Sequence, residues 1–179
     1  MTCIVGLVHE SKVYLGADSA GSTDDFTSTR KEPKAFKVGH FGFAYTTSFR
    51  MGDLLHYSFT PPPFTVGEIT IDKYMRTLFV DEVRATFELG GFGTIDKDGS
   101  DVGGDFLVAF KGRLFAILSD FQVAEHRTEY YADGSGAHFA FGSLFSTSTS
   151  KPRERVLTAL QSATKFSPSV SGPFTIITV

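Results

Sequence analysis

The chain has 179 residues, of which 41% are hydrophobic and 21% charged, and its net charge is −3. That length suits one domain, residues 1–179, with a sizeable core and leaves too little for two, and the weak acidic balance gives no electrostatic footprint for nucleic acid. No apolar run approaches a membrane span and no secretory signal precedes the first strand, so no membrane association is expected and a reducing cytoplasm is the expected compartment.

Residues 1–18 read MTCIVGLVHESKVYLGAD. Two apolar, β-branched runs, residues 2–8 and 13–17, flank the polar stretch His9-Glu10-Ser11-Lys12, which predicts a β-hairpin turning between Glu10 and Ser11. Residue 2 then falls opposite residue 18 or 19, and Thr2 and Asp18 become neighbours across the ladder. Cys3, the single cysteine, excludes an internal disulfide and a multi-cysteine zinc site and reads as a small core residue. Thr2 follows the initiator methionine, and a small second residue lets aminopeptidases remove Met1. The product is a terminal threonine whose α-amine titrates near ~7.7–8.0, an arrangement able to activate a weak hydroxyl nucleophile. Many chains begin Met-Thr and continue into a strand, so Thr2 by itself carries little weight.

The Gly/Ser/Asp run at residues 19–25 predicts a loop. Strands are expected over residues 34–38 and 41–47, joined tightly at Gly39-His40. A helix follows over residues 48–58, capped by Ser48 and ended by Pro61-Pro62-Pro63. Residues 70–89 give the clearest helical pattern, with Ile71, Tyr74, Met75, Leu78, Phe79, Val83 and Phe87 on one stripe and Gly90-Gly91 beyond the end. The acidic stretch from Asp96 to Asp101 lacks EF-hand spacing and reads as a solvated turn. More sheet is expected at residues 105–111, 113–119 and 122–124. Gly134-Ser135-Gly136 precedes an apolar stretch, residues 137–145, expected to form a helix. Residues 151–165 form a further amphipathic helix with Ser150 as cap, and residues 174–179 a last strand. Strand runs alternating with helix pairs imply an α+β domain, with helices packed outside two sheets.

With these elements in order, Thr2-Cys3-Ile4-Val5-Gly6 resembles the mature N-terminus of proteasome β-type subunits and HslV-like peptidases, the N-terminal-nucleophile hydrolases. Residues 13–19, Val-Tyr-Leu-Gly-Ala-Asp-Ser, resemble the motif that ends in their aspartate. Lys34 falls where the family carries its lysine, and Gly134-Ser135-Gly136 resembles its Gly-Ser-Gly turn. The resemblance implies a four-layer α/β/β/α sandwich and a catalytic set of Thr2, Asp18, Lys34 and Ser135, with no cofactor and no metal. A lysine ammonium close to a hydroxyl eases its proton loss, and an adjacent carboxylate keeps that lysine charged and aimed. Lys31 and Lys37 compete with Lys34 by position, but alternation sends Lys34 and Lys37 to opposite faces.

Three functions are compatible with the resemblance. A threonine-type peptidase would act on peptides or unfolded proteins inside a homo-oligomeric ring of six or seven subunits, with a possible ATPase unfoldase as partner. The alternatives are a catalytically silent ring subunit and an acylase that cleaves one small amide. The chain departs from the family in two places. No aspartate follows Asp133, leaving Ser169 or Ser171 to contact the terminal amine. The glycine that offers an oxyanion N–H is replaced within Tyr45-Thr46-Thr47-Ser48, where the backbone of Thr47 or Ser48 can still donate. Phe41, Phe43, Tyr45, Tyr74, Leu78 and Phe79 offer more large apolar surface than one two-sheet core needs, which predicts self-association.

Overall fold

The structure, a computed structural model, describes residues 2–22, 25–95 and 101–179. Met1, residues 23–24 of the predicted loop and residues 96–100, most of the acidic turn, lie outside the described residues.

The chain opens with β1 (Ile4–His9) and β2 (Lys12–Ala17), paired from Ile4↔Ala17 to His9↔Lys12. Glu10 and Ser11 both have positive φ, 49° and 59°, so the hairpin closes in the primed turn that matches strand twist without the usual Asn-Gly. Next come β3 (Ala20–Ser22) and β4 (Thr27–Thr29), a short hairpin where a loop is predicted. Then follow β5 (Ala35–Val38) and β6 (Phe41–Tyr45). Helix α1 (Phe49–Asp53) continues as a π-helical turn, Leu54–Ser58. A second helical segment comprises α2 (Ile71–Tyr74), a π-helical turn Met75–Phe79, and α3 (Val80–Leu89). After β7 (Thr94–Ile95) and β8 (Asp101–Val102) come β9 (Phe106–Phe110), β10 (Arg113–Ile117), β11 (Val123–Ala124) and β12 (Tyr130–Asp133). The chain finishes with α4 (Ala137–Ser146), α5 (Pro152–Phe166) and β13 (Thr175–Thr178).

Two antiparallel sheets carry the fold, one in the order β12-β1-β2-β13 and the other β11-β10-β9-β6-β5. Alternation along each strand gives every sheet two apolar faces, and each face finds its own layer. Ile4, Leu15, Ala44, Leu107 and Ala109 meet between the sheets. Val5, Leu7 and Cys3 turn outward against Ala140, Leu144, Val156 and Leu160 of α4 and α5. Phe43, Phe106, Val108 and Phe115 face Met51, Phe79, Val83 and Phe87 of the other helices. The result is the four-layer α/β/β/α sandwich.

The aromatic residues depart from expectation in one respect. Phe41, Phe43, Tyr45, Tyr74 and Phe79 are all buried inside this subunit, and only Leu78 of that set is exposed, at 49%. The π-helical turn causes this. An extra residue per turn moves the buried stripe from Tyr74 and Met75 to Phe79 and Val80, and Leu78 rotates outward. Apart from Leu78, the apolar surplus that predicts self-association is therefore taken up within the subunit's own core. Ser150 is not the cap of α5 either; Lys151 holds that position without a side-chain hydrogen bond, and Pro152 begins the helix.

Candidate active site

The hairpin register places Cys3 opposite Asp18, with the Asp18 N–H donating to the Cys3 carbonyl at 3.2 Å, so Thr2 lies one step beyond. Asp18 therefore does not reach Thr2 directly. Lys34 joins them: its Nζ donates to Thr2 Oγ1 at 2.5 Å and to Asp18 Oδ1 at 2.9 Å. Lys34 sits just before β5, tied to the sheet by the Tyr45 N–H donating to its carbonyl. Its side chain passes into the interior, where it is 1% exposed, while Lys37 is exposed on the opposite side.

Asp18 is fixed by backbone donors as well as by the lysine. Oδ1 also accepts from the Cys3 N–H at 3.2 Å, and Oδ2 accepts from the N–H groups of Ala20 at 3.0 Å and Ser171 at 3.4 Å. Hydrogen bonds of this kind stabilise a carboxylate away from water. Burial pushes the Lys34 ammonium below the ordinary lysine range, and the attraction of Asp18 opposes that shift. The Cys3 thiol is pushed up to about 12, first by burial and then by Asp18. It is a thiol at neutral pH, inert as a nucleophile.

The turn after β12 closes the site from the far side. Gly134 has φ of +89° and abuts the Thr2 carbonyl oxygen so closely that a Cβ would collide with it. The Gly136 N–H donates to that carbonyl at 3.2 Å and Ser135 Oγ at 3.3 Å. Ser135 Oγ lies 3.0 Å from Ser169 Oγ, which is 3.3 Å from Ser167 Oγ, giving a row of three hydroxyls beside residue 2. Ser171 meets the site through its N–H on Asp18. The two serines that spacing does not distinguish thus part company: Ser169 joins the hydroxyl row and Ser171 the aspartate.

Opposite this turn, Thr47 takes φ of +64° and the Ser48 N–H donates back to the Thr46 carbonyl at 2.7 Å. The Ser48 amide is thereby occupied, and its hydroxyl caps α1 by accepting from the Met51 N–H at 3.4 Å. Among the described residues the Thr47 N–H has no acceptor, so of the two expected donors Thr47 is the one left available. Its left-handed backbone is held by its hydroxyl, which accepts from the Asp105 N–H at 3.1 Å. Strain retained in this way is common beside functional groups. Thr2, Lys34, Tyr45, Thr46, Thr47, Ser48 and Phe49 line a small cleft opening at the threonine hydroxyl. Of the lining residues, sequence alone passes over Phe49, which opens α1, and reads Tyr45, at the end of β6, only as large apolar surface and as part of the oxyanion stretch.

No family model matches the sequence and no curated protein matches it. Solved structures do. BPH of Thiobacillus denitrificans, in complex with epoxomicin, superposes with a TM-score of 0.79 at 15% identity, covering 99% of this chain and 97% of that one. The chain has the fold of the proteasome-type N-terminal-nucleophile hydrolases. HslV from Trypanosoma brucei has a TM-score of 0.66 at 13% identity over 98% of both chains. Anbu, described as an ancestral beta-subunit, from Yersinia bercovieri has a TM-score of 0.67 at 18% identity, over 99% of this chain and 81% of that one. Identities this low establish the shared N-terminal-nucleophile hydrolase fold. The site stands on its own geometry.

Proposed function

We propose that the chain is a threonine-type peptidase whose nucleophile is Thr2, exposed by removal of Met1. The observation that carries this reading is the buried row Thr2 Oγ1–Lys34 Nζ–Asp18 Oδ1 at 2.5 and 2.9 Å. Thr2 Oγ attacks the substrate carbonyl carbon while its proton passes to the free α-amine of the same residue. The Lys34 ammonium stabilises the oxygen as it loses that proton, and the Thr47 N–H receives the developing oxyanion. As the tetrahedral intermediate collapses, the C–N bond breaks and the amine's proton goes to the leaving nitrogen. Water then hydrolyses the threonyl ester and restores the hydroxyl. Ser135 holds the residue-2 carbonyl and is itself backed by Ser169 and Ser167.

A silent ring subunit would have little use for this arrangement. A buried ion pair gives no advantage in stability over apolar residues of the same size, so its retention is better explained by chemistry. Fold likeness to BPH, which binds epoxomicin, HslV and Anbu supports the peptidase reading. By the same likeness the working form is a homo-oligomeric ring acting on peptides or unfolded proteins in the cytoplasm, with an ATPase unfoldase as a possible partner for folded substrates.

The test joins intact mass with activity. Purified protein should have a mass lacking Met1 and should hydrolyse peptide amides, gain the mass of epoxomicin on incubation, and lose both properties as Thr2→Ala. A protein that retains Met1 quantitatively and is inert would establish the silent role.

A further inference from the structure

Resting on the peptidase reading, we infer that Phe49 and Tyr45 restrict the substrate to glycine or alanine at the residue whose carbonyl is attacked. The attacked carbon must lie between Thr2 Oγ and the Thr47 N–H. The side chain on the next atom then enters the cleft walled by Tyr45, Thr46 and Phe49. The enclosed part of that cleft, whose mouth is open to solvent, has about 20 Å³, little more than the ~10–15 Å³ that one water requires. A methyl group matches that enclosed space, whereas an isobutyl or benzyl group must displace a wall or stay in solvent.

The walls are held in place. The Tyr45 ring lies against Gly52, where any Cβ would run into it, and Tyr45 is 4% exposed. The Phe49 ring meets Tyr45 edge-on at 6.4 Å, and the Arg30 guanidinium covers it at 4.3 Å. Lys34 Nζ lies 5.7 Å from the same ring, so Phe49 is within reach of both cations. Swinging Phe49 aside to admit a large side chain would break both its edge-on and its cation–π contacts. Tyr45 belongs to the core cluster, whereas Phe49 is packed at that cluster's margin. Phe49 is therefore the residue that can be changed without emptying the core.

The experiment uses Met1-free protein and acetylated tripeptide aminomethylcoumarin amides that differ only in the residue before the leaving group, with glycine, alanine, valine, leucine or phenylalanine there. A hydrophobic pocket discriminates roughly 10–200-fold per methylene. The expected result is kcat/KM for alanine at least ~10-fold above leucine and phenylalanine. Phe49→Ala should collapse that ratio at least ~10-fold, and Phe49→Leu, which keeps a core-compatible side chain, should shift it in the same direction. Wild-type protein that takes leucine or phenylalanine as well as alanine would overturn the inference, as would a ratio unmoved in both folded variants. Thr2-dependent hydrolysis without size selection removes only the restriction. Hydrolysis that survives Thr2→Ala, or none with any substrate, removes the peptidase reading and the restriction with it.

Discussion

Lys34 is the residue with most at stake, because its ammonium faces both the hydroxyl and the carboxylate. Lys34→Met should lower kcat/KM by at least ~10²-fold, the lower end of what a positioned proton-handling group contributes, whereas Lys37→Ala, exposed on the opposite side, should leave it unchanged. Steady-state kinetics on the two variants decide this; equal losses would mean that the lysine facing Thr2 has been misassigned. The pH dependence follows from the direction of the Lys34 shift. Burial depresses its folded pKa below the ordinary ~10.4, so above the folded value the native state has released a proton that the unfolded chain still holds. Stability contributed by this group therefore rises with pH across that window and levels off near the unfolded pKa. The cost of burying the charge is present in full at lower pH. The difference between denaturant titrations of the wild type and of Lys34→Met should show that rise toward about pH 10.5, because the Cys3 thiol, pushed up to about 12, opposes it in both proteins alike. Activity should decline over the same alkaline window as the ammonium is lost.

At the scale of elements, the π-helical turn Met75–Phe79 makes a claim about register that mutants can check. Phe79→Ala removes a fully buried ring and should cost about 3–5 kcal/mol, while Leu78→Ser on the exposed side should change stability by less than about 0.5 kcal/mol. Urea unfolding of both distinguishes this register from a regular helix, in which Leu78→Ser would also be costly. Gly134→Ala, which forces a Cβ at φ +89° into the Thr2 carbonyl, should lower Tm by several degrees and impair turnover together. The hairpin of β1 and β2 is legible in sequence because period-two patterning determines which side chains share a face, whereas alternation only sets Lys34 and Lys37 on opposite faces and the family resemblance chooses Lys34. Leu78 is misplaced by its spacing because no sequence period announces an inserted residue. β12 escapes a pattern reading because Tyr130-Tyr131-Ala132-Asp133 is only half-buried and lacks β-branched residues, although Ser135 depends on it for its position. Tyr45 and Phe49 are hidden for a different reason. Whether an aromatic fills a core or walls a cleft is decided by the neighbours that tertiary packing brings, here Gly52 and Arg30.

For the whole molecule, the fold and the assembly have separate foundations. Most of the apolar surface of β6 and the second helical segment is buried internally, with Leu78 and Leu89 left exposed, so the proposed ring would draw on these and on other surfaces. Sedimentation at micromolar concentration should give a particle several times the 19.5 kDa subunit, as the proposed ring requires. A concentration-independent monomer would leave the Thr2 chemistry in place and favour the free-standing acylase. The bonds of Asp18 have a consequence for the order of synthesis. Its carboxylate accepts from Cys3, near the start of the chain, and from Ser171, and β13 completes the sheet beside β2. Thr2 leaves the ribosome first, but the partners that finish its surroundings follow 169 residues later, roughly 8–34 s at typical translation rates. If Thr2 is the nucleophile, a nascent subunit has an incomplete site through nearly all of its own synthesis, and an aminopeptidase has that interval to trim Met1 before folding buries Thr2.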